Sequence, residues 1–342
     1  MRRSALTQTG PLLPVIAAMA FSTGLAAAAT GDSPINDLPN GYRTVRDWAK
    51  PPNGVPWAAV TAVEVAPDGA IYVIHRCHEN SCAGRTEPPI LKFDASGKLL
   101  KSWGEGMFVF PHGATVDAEG NLWVTDEQGK DGIGQQVFKF SPDGKVLMTL
   151  GKAGVASDAP GLFDQPTDVA VAANGDIFVT EGHLQGNNRV SKFSKDGKFI
   201  RMWGKKGSGP GEFNAPHTIA IDSQGRLFVG DRSNNRIQIF DQDGKYIDIW
   251  MQFGRPSGIF IDKDDTMYVA DSESWGKDEP GWEKGIRIGS AGDGSVKYFI
   301  EDVESTTDEH SGAEGVGVDA AGNVYGAVVR RQMLEKHIRV SQ

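Results

Sequence analysis

Past residue 30 this 342-residue chain has no run of eighteen apolar residues, so no segment there is suited to cross a membrane as a helix. It has no surplus of basic residues either. Thirty-five Lys and Arg face 44 Asp and Glu, a formal net charge of −9, which disfavours nucleic acid and anionic lipid as partners. No stretch shows a helix-period apolar pattern of useful length, which argues against helical and α/β folds. Cysteine is scarce. Cys77 and Cys82 alone cannot supply a four-cysteine zinc site, because no second pair completes the set.

The first thirty residues differ from the rest. Arg2 and Arg3 precede an apolar run from Pro11 to Ala26, followed by the small residues Ala27, Ala28 and Ala29. That order predicts a secretory signal peptide over residues 1–29, with the basic pair hinting at twin-arginine export, and one domain over residues 30–342. An uncleaved anchor is the competing reading. Cleavage would take the charge from −9 to −11. The expected location is secreted or periplasmic, where the close pair Cys77 and Cys82 reads as a disulfide rather than as two free thiols. So short a loop is worth only about 2 kcal/mol, and its use would be to stiffen the chain after Arg76.

What the chain does have is a repeat. Six segments share an alternating strand, a turn and a second strand: Thr61 to Arg76, His112 to Asp126, Thr167 to Glu181, His217 to Asp231, Ser257 to Asp271 and Glu314 to Val328. Their turn residues Gly69, Gly120, Gly175, Gly225, Asp265 and Gly322 stand 51, 55, 50, 40 and 57 residues apart. Each unit continues into an outer hairpin, as in Ile90 to Gly104 and Val190 to Gly204. Four strands per unit at that period predict an all-β, six-bladed β-propeller of the NHL-repeat type rather than an open sandwich. The last unit stops at Ile338-Arg339-Val340, one strand short, and Tyr42 to Trp48 is expected to supply that strand from the N-terminus. Such closure removes an exposed edge.

The repeat also serves as a ruler. Eight residues before each turn stand Thr61, His112, Thr167, His217, Ser257 and Glu314. Inner strands line the channel of a propeller, so these positions form one ring. Blades 2, 4 and 6 give His112, His217 and Glu314, about 120° apart by ring symmetry, a two-histidine, one-carboxylate set suited to zinc or non-haem iron. Structural histidines in a polar channel mouth are the bland alternative. A second ring, seven residues after the turn, carries Arg76 and Arg232, with Gly182 and His183 in blade 3. Two arginines suit a carboxylate or phosphate, or else pair structurally with an acid such as Asp231 or Asp271. His183 could act as a general acid or base, or be a solvated loop residue. The segment Glu273 to Gly285, with Trp275 and Trp282, would form a lid or pack on the rim.

Val109-Phe110-Pro111-His112-Gly113, Gln165-Pro166-Thr167-Asp168, Ala215-Pro216-His217 and Asp231-Arg232-Ser233-Asn234-Asn235-Arg236 resemble the peptidyl-α-hydroxyglycine α-amidating lyase family, best from Val73 to Phe240. The resemblance implies a six-bladed propeller with a catalytic zinc in the channel and a structural calcium on the axis. It also implies cleavage of a carbinolamide to a peptide amide and glyoxylate. By position, His112 and His217 match zinc histidines, Arg76 and Arg232 match active-site arginines, and the Ala114 carbonyl matches a calcium ligand. Two departures stand out. Glu314 occupies the place of the third zinc histidine, with Gly315 where the family has a calcium-assisting Asp, and His183 occupies the place of the catalytic tyrosine. Glu can ligate zinc and His can accept a proton, so the expected function is a metal-dependent lyase acting on a small-molecule or peptide substrate with a carboxylate, working as a monomer. A metal-dependent, lactonase-like hydrolase and a non-catalytic binding or scaffold propeller are the alternatives.

Overall fold

The computed structural model describes residues 34–183, 185–274, 281–303 and 312–340. The segment read as a signal peptide, and Trp275, lie outside the described residues. Alternating apolar residues in each repeat build four antiparallel strands, and six four-stranded sheets close a ring. The described residues contain no α-helix, only two short 3-10 turns.

Blade 1 holds β2 (Val60–Val65) to β5 (Leu99–Trp103), and blade 2 holds β6 (Pro111–Val116), β7 (Leu122–Lys130), β8 (Ile133–Phe140) and β9 (Val146–Gly151). Blades 3, 4 and 5 begin on β10 (Pro166–Val171), β14 (Pro216–Ile221) and β18 (Pro256–Ile261). Blade 6 contains β22 (Ala313–Val318), β23 (Val324–Val328) and β24 (Met333–Arg339), and its fourth strand is β1 (Tyr42–Val45). Thr44 stands opposite His337, and Tyr42 opposite Arg339. The N-terminal closure expected from Tyr42 to Trp48 is therefore present, formed by its first four residues.

The apolar cores lie between neighbouring blades. Trp103, at the end of the outer strand of blade 1, meets Tyr72 of its own blade and Phe140 of the next, at 6.0 and 6.3 Å between ring centroids. Trp203 repeats this between blades 3 and 4, against Phe178 and Phe240. Offset and edge-on rings add to the burial of their area. The turn glycine of the next outer hairpin must then clear the tryptophan: a Cβ on Gly144, at φ +77°, would sit 2.9 Å from the Trp103 ring.

All six inner strands carry the same irregularity. Pairing with the second strand is interrupted between Val60 and Ala62, Pro111 and Ala114, Pro166 and Asp168, Pro216 and Thr218, Pro256 and Gly258, and Ala313 and Gly315. The skipped residues include Thr61, His112, Thr167, His217, Ser257 and Glu314, the ring read from the repeat. A bulge frees a residue from the ladder and re-aims its side chain. Here it takes the six ring residues out of the ladder, and His112, His217 and Glu314 come together.

Candidate functional site

The ring residues are bonded from blade to blade. His112 Nδ1 meets the Thr167 carbonyl of blade 3 at 2.8 Å, and His217 Nδ1 meets the Ser257 carbonyl of blade 5 at 2.6 Å. The hydroxyls of Thr61 and Thr167 donate to the carbonyls of Pro111 and Pro216 in the following blades. A carbonyl only accepts, so each imidazole carries its proton on Nδ1 and presents the Nε2 lone pair. Burial drives the pKa of His112 down to about 3 and that of His217 well below its ordinary value, and neighbouring positive groups add to this at His217. Both rings are neutral and buried, their Nε2 atoms have no hydrogen-bond partner, and their centroids lie 4.6 Å apart.

Glu314 closes this side of the ring. Its Oε1 lies 3.5 Å from His112 Nε2 and 3.9 Å from His217 Nε2. Burial raises its pKa, against the opposing pull of Arg76 and Arg232. None of these three atoms has a hydrogen-bond partner among the described residues. Three buried polar atoms left without partners and aimed at one point are expensive unless a cation joins them.

His183 belongs to the same cluster, where the sequence placed it only near the rim. Its ring centroid lies 5.1 Å from that of His112 and 5.0 Å from that of His217, and the three imidazoles are close enough to hold one metal ion. A residue the repeat could have revealed holds it there: Glu127, seven residues after the turn glycine Gly120. Its Oε1 bonds His183 Nδ1 at 2.9 Å, and its Oε2, without a partner, lies 3.7 Å from His112 Nε2. Burial opposes its ionisation, but His183 and then His112 and Arg76 outweigh that and hold its pKa down to about 2.

The arginines sit where the second ring places them. Arg76 lies 3.5 Å over the Phe110 ring, donates to Asn80 Oδ1 at 2.7 Å and to the Pro111 carbonyl, and leaves Nη2 without a hydrogen-bond partner 4.0 Å from Glu314. Arg232 faces Glu273 at 3.5 Å, with its Nε also without a partner. The acids they face are Glu314 and Glu273 rather than Asp231 and Asp271, which are taken by Arg236 at 2.7 Å and by Arg287 at 3.3 Å. Glu273, at the start of the loop expected to form a lid or pack on the rim, thus orients Arg232, while Trp282 stacks on Arg287 at 4.7 Å.

Cys77 and Cys82 form a disulfide. It closes the loop that carries Asn80, so the stiffening falls on the partner of Arg76. The ring residues His112, His217 and Glu314 line a channel cavity of about 220 Å³ together with Ala114, Asp168 and Glu64. Burial pushes Asp168 up to about 7 and raises Glu64 well above the usual range, and Asp168 adds to the rise at Glu64. Gly315 has no space for a larger residue, because a Cβ there would lie 2.6 Å from the Thr61 carbonyl of blade 1.

Comparison with known proteins agrees with this architecture. The NHL repeat family matches residues 213–240, and a 6-bladed beta-propeller family matches residues 161–226. Peptidyl-glycine alpha-amidating monooxygenase of Mus musculus is 40% identical over 155 residues, 43% of this chain and 15% of the mouse protein. Peptidyl-alpha-hydroxyglycine alpha-amidating lyase 1 of Drosophila melanogaster is 38% identical over 189 residues, 49% of this chain and 33% of that protein. NHL repeat-containing protein 3 of Homo sapiens is 34% identical over 196 residues, 56% of this chain and 54% of the human one. The matched region thus spans between about one-seventh and half of these relatives. Among solved structures, a gluconolactonase of Xanthomonas campestris superposes with a TM-score of 0.58 at 16% identity, over 87% of this chain and 89% of that one, a likeness of fold alone. The chain is a six-bladed β-propeller with NHL repeats, similar over about half its length to the amidating lyases and to NHL repeat-containing protein 3.

Proposed function

We propose that this ring is the centre of a metal-dependent lyase that cleaves a small, hydroxylated, carboxylate-bearing substrate in the mouth of the channel. The observation that carries the reading is the convergence of His112 Nε2, His217 Nε2 and Glu314 Oε1, all buried and without hydrogen-bond partners. Two neutral imidazoles and a carboxylate are the donor set of a catalytic zinc or of a non-haem iron. A bound divalent ion would polarise the substrate hydroxyl and make it more acidic.

The chain's own groups do the rest. Arg76 and Arg232 hold the substrate carboxylate through the N–H groups that have no protein partner. His183, fixed through Nδ1 by Glu127, takes the proton from the hydroxyl on its other nitrogen. As that O–H electron pair forms the carbonyl, the C–N bond breaks and its electrons leave on nitrogen. The nitrogen then recovers the proton from His183, giving an amide and an oxoacid. A calcium would bind at the Ala114 carbonyl, as the resemblance implies, and the carboxyl oxygens of Asp168 and Glu64 in the same cavity are hard donors of the kind such an ion takes. Export from the cytoplasm fits the disulfide.

The test is to incubate metal-loaded protein with α-hydroxyglycine peptides and assay glyoxylate, with and without chelator. Chelator-sensitive glyoxylate release is the expected result. No release removes the amidating reading. A lactone panel run in parallel checks hydrolysis, which the Glu127–His183 pair would serve by activating water instead. Absence of any bound transition metal after purification without chelator would leave a binding or scaffold propeller.

A further inference from the structure

Glu127 does more than the lyase reading requires. In blades 3 and 4 the second strand ends at an acid, Glu181 or Asp231, that caps backbone N–H groups of the entering loop. In blade 2 that task belongs to Asp126, which accepts from the N–H groups of Val109 and Phe110. β7 then continues to Lys130, and its register with β8 shifts between Asp126 and Gly129. This irregularity takes in Glu127, whose side chain reaches the ring at 0% exposure.

A carboxylate that served only to orient His183 would need one oxygen. Oε1 fills that role at 2.9 Å. The second oxygen is buried, without a partner, and 3.7 Å from His112 Nε2. The corresponding contacts of Glu314 Oε1 are 3.5 and 3.9 Å. In a tetrahedral site with bonds of about 2.1 Å, neighbouring donors stand about 3.4 Å apart. Glu127 Oε2 therefore shares the burial and the missing partner of Glu314 Oε1, and a comparable spacing to His112, while its approach to one histidine stands against the two that Glu314 makes.

We infer that Glu127 is a ligand of the metal, with Oε2 on the ion and Oε1 on His183, so that the site has two imidazoles and two carboxylates. The inference rests on the metal-centre reading above. Its consequence is charge balance. Two carboxylates cancel a divalent ion, and Glu273, shared between Arg232 and Arg255 at 3.5 and 3.4 Å, leaves the arginines in excess, so that the pocket stays positive, suited to an anionic substrate.

The experiment needs no turnover. Full-length protein is stripped with chelator and reloaded with zinc, and X-ray absorption counts its imidazole ligands. Cobalt is titrated in parallel into wild type and Glu127→Gln, followed by visible absorption. Two imidazoles in wild type, and cobalt affinity lowered by about tenfold or more in the variant, are the expected results. Three imidazoles, with His183 as the third, would overturn the inference, as would unchanged affinity in the variant. If the variant does not fold, the wild-type count decides. Loss of the ion in Glu127→Gln without any lyase turnover in wild type would remove the lyase and leave this ligand in place.

Discussion

His112 and His217, two blades apart, place their imidazoles 4.6 Å apart at an interplanar angle of 68°, each held by a carbonyl of the blade that follows. Neither ring could be placed without the neighbouring blade. His112→Ala and His217→Ala should each lower metal affinity by about tenfold or more, and Glu314→Ala should release the same ion. Elemental analysis after gel filtration, with circular dichroism to confirm the strands, checks this. Retention of the ion in either histidine variant would refute it.

Arg76 and Arg232 are buried and, beside the Glu314 and Glu273 they face, keep N–H groups without hydrogen-bond partners, which suits them to a carboxylate. Arg76→Lys keeps the charge but loses the planar fork and the packing on Phe110. A charge-assisted hydrogen bond contributes about 1.5–3 kcal/mol, so KM should rise roughly 10- to 100-fold once a substrate is in hand. Steady-state kinetics against that substrate and its amide analogue will show it, since the amide should lose its disadvantage in the variant.

The disulfide acts on Arg76 through Asn80, whose Oδ1 accepts from Nη1 at 2.7 Å. Cys77→Ser with Cys82→Ser should cost at most about 2 kcal/mol of stability, as expected for so short a loop, and should raise KM. Asn80→Ala should raise KM by a similar factor with little change in the denaturation midpoint. A stable disulfide-free protein with wild-type KM would show the bridge to be irrelevant to the site.

The seam between the chain's ends should be acid-sensitive. His337 on β24 shares a 2.9 Å hydrogen bond with Thr44 on β1, and burial holds its pKa down to about 4. In the unfolded chain the same group titrates near 6.5. Between those values the unfolded chain takes up a proton that the folded one refuses, so this group's contribution falls as pH drops through 6.5 and levels off below about 4. At about 1.4 kcal/mol per unit the loss is about 3.5 kcal/mol. Urea melts of wild type and His337→Gln across that range should show the variant losing less stability on acidification. Parallel pH profiles would contradict the assignment.

Much of the site is legible in the sequence because the repeat is a ruler. Thr61, His112, Thr167, His217, Ser257 and Glu314 share one offset from their turns, and the structure puts each at the same inner-strand bulge. The second offset places Arg76 and Arg232 correctly and would also have found Glu127. What it could not give is the position of His183, which lies one residue past that offset in a loop. His183 reaches the cluster through a hydrogen bond to Glu127 of blade 2, distant in the chain.

The strands, their grouping in fours and the closing role of Tyr42 to Trp48 follow from alternation and turn residues, which act locally. Tertiary structure alone decided which polar atoms are left without partners, which nitrogen of each imidazole is free, and which acids the arginines avoid. Those properties arise where one blade's carbonyls and carboxylates meet the next blade's side chains. Hydrogen bonding and burial across such a junction depend on distances that no single repeat encodes.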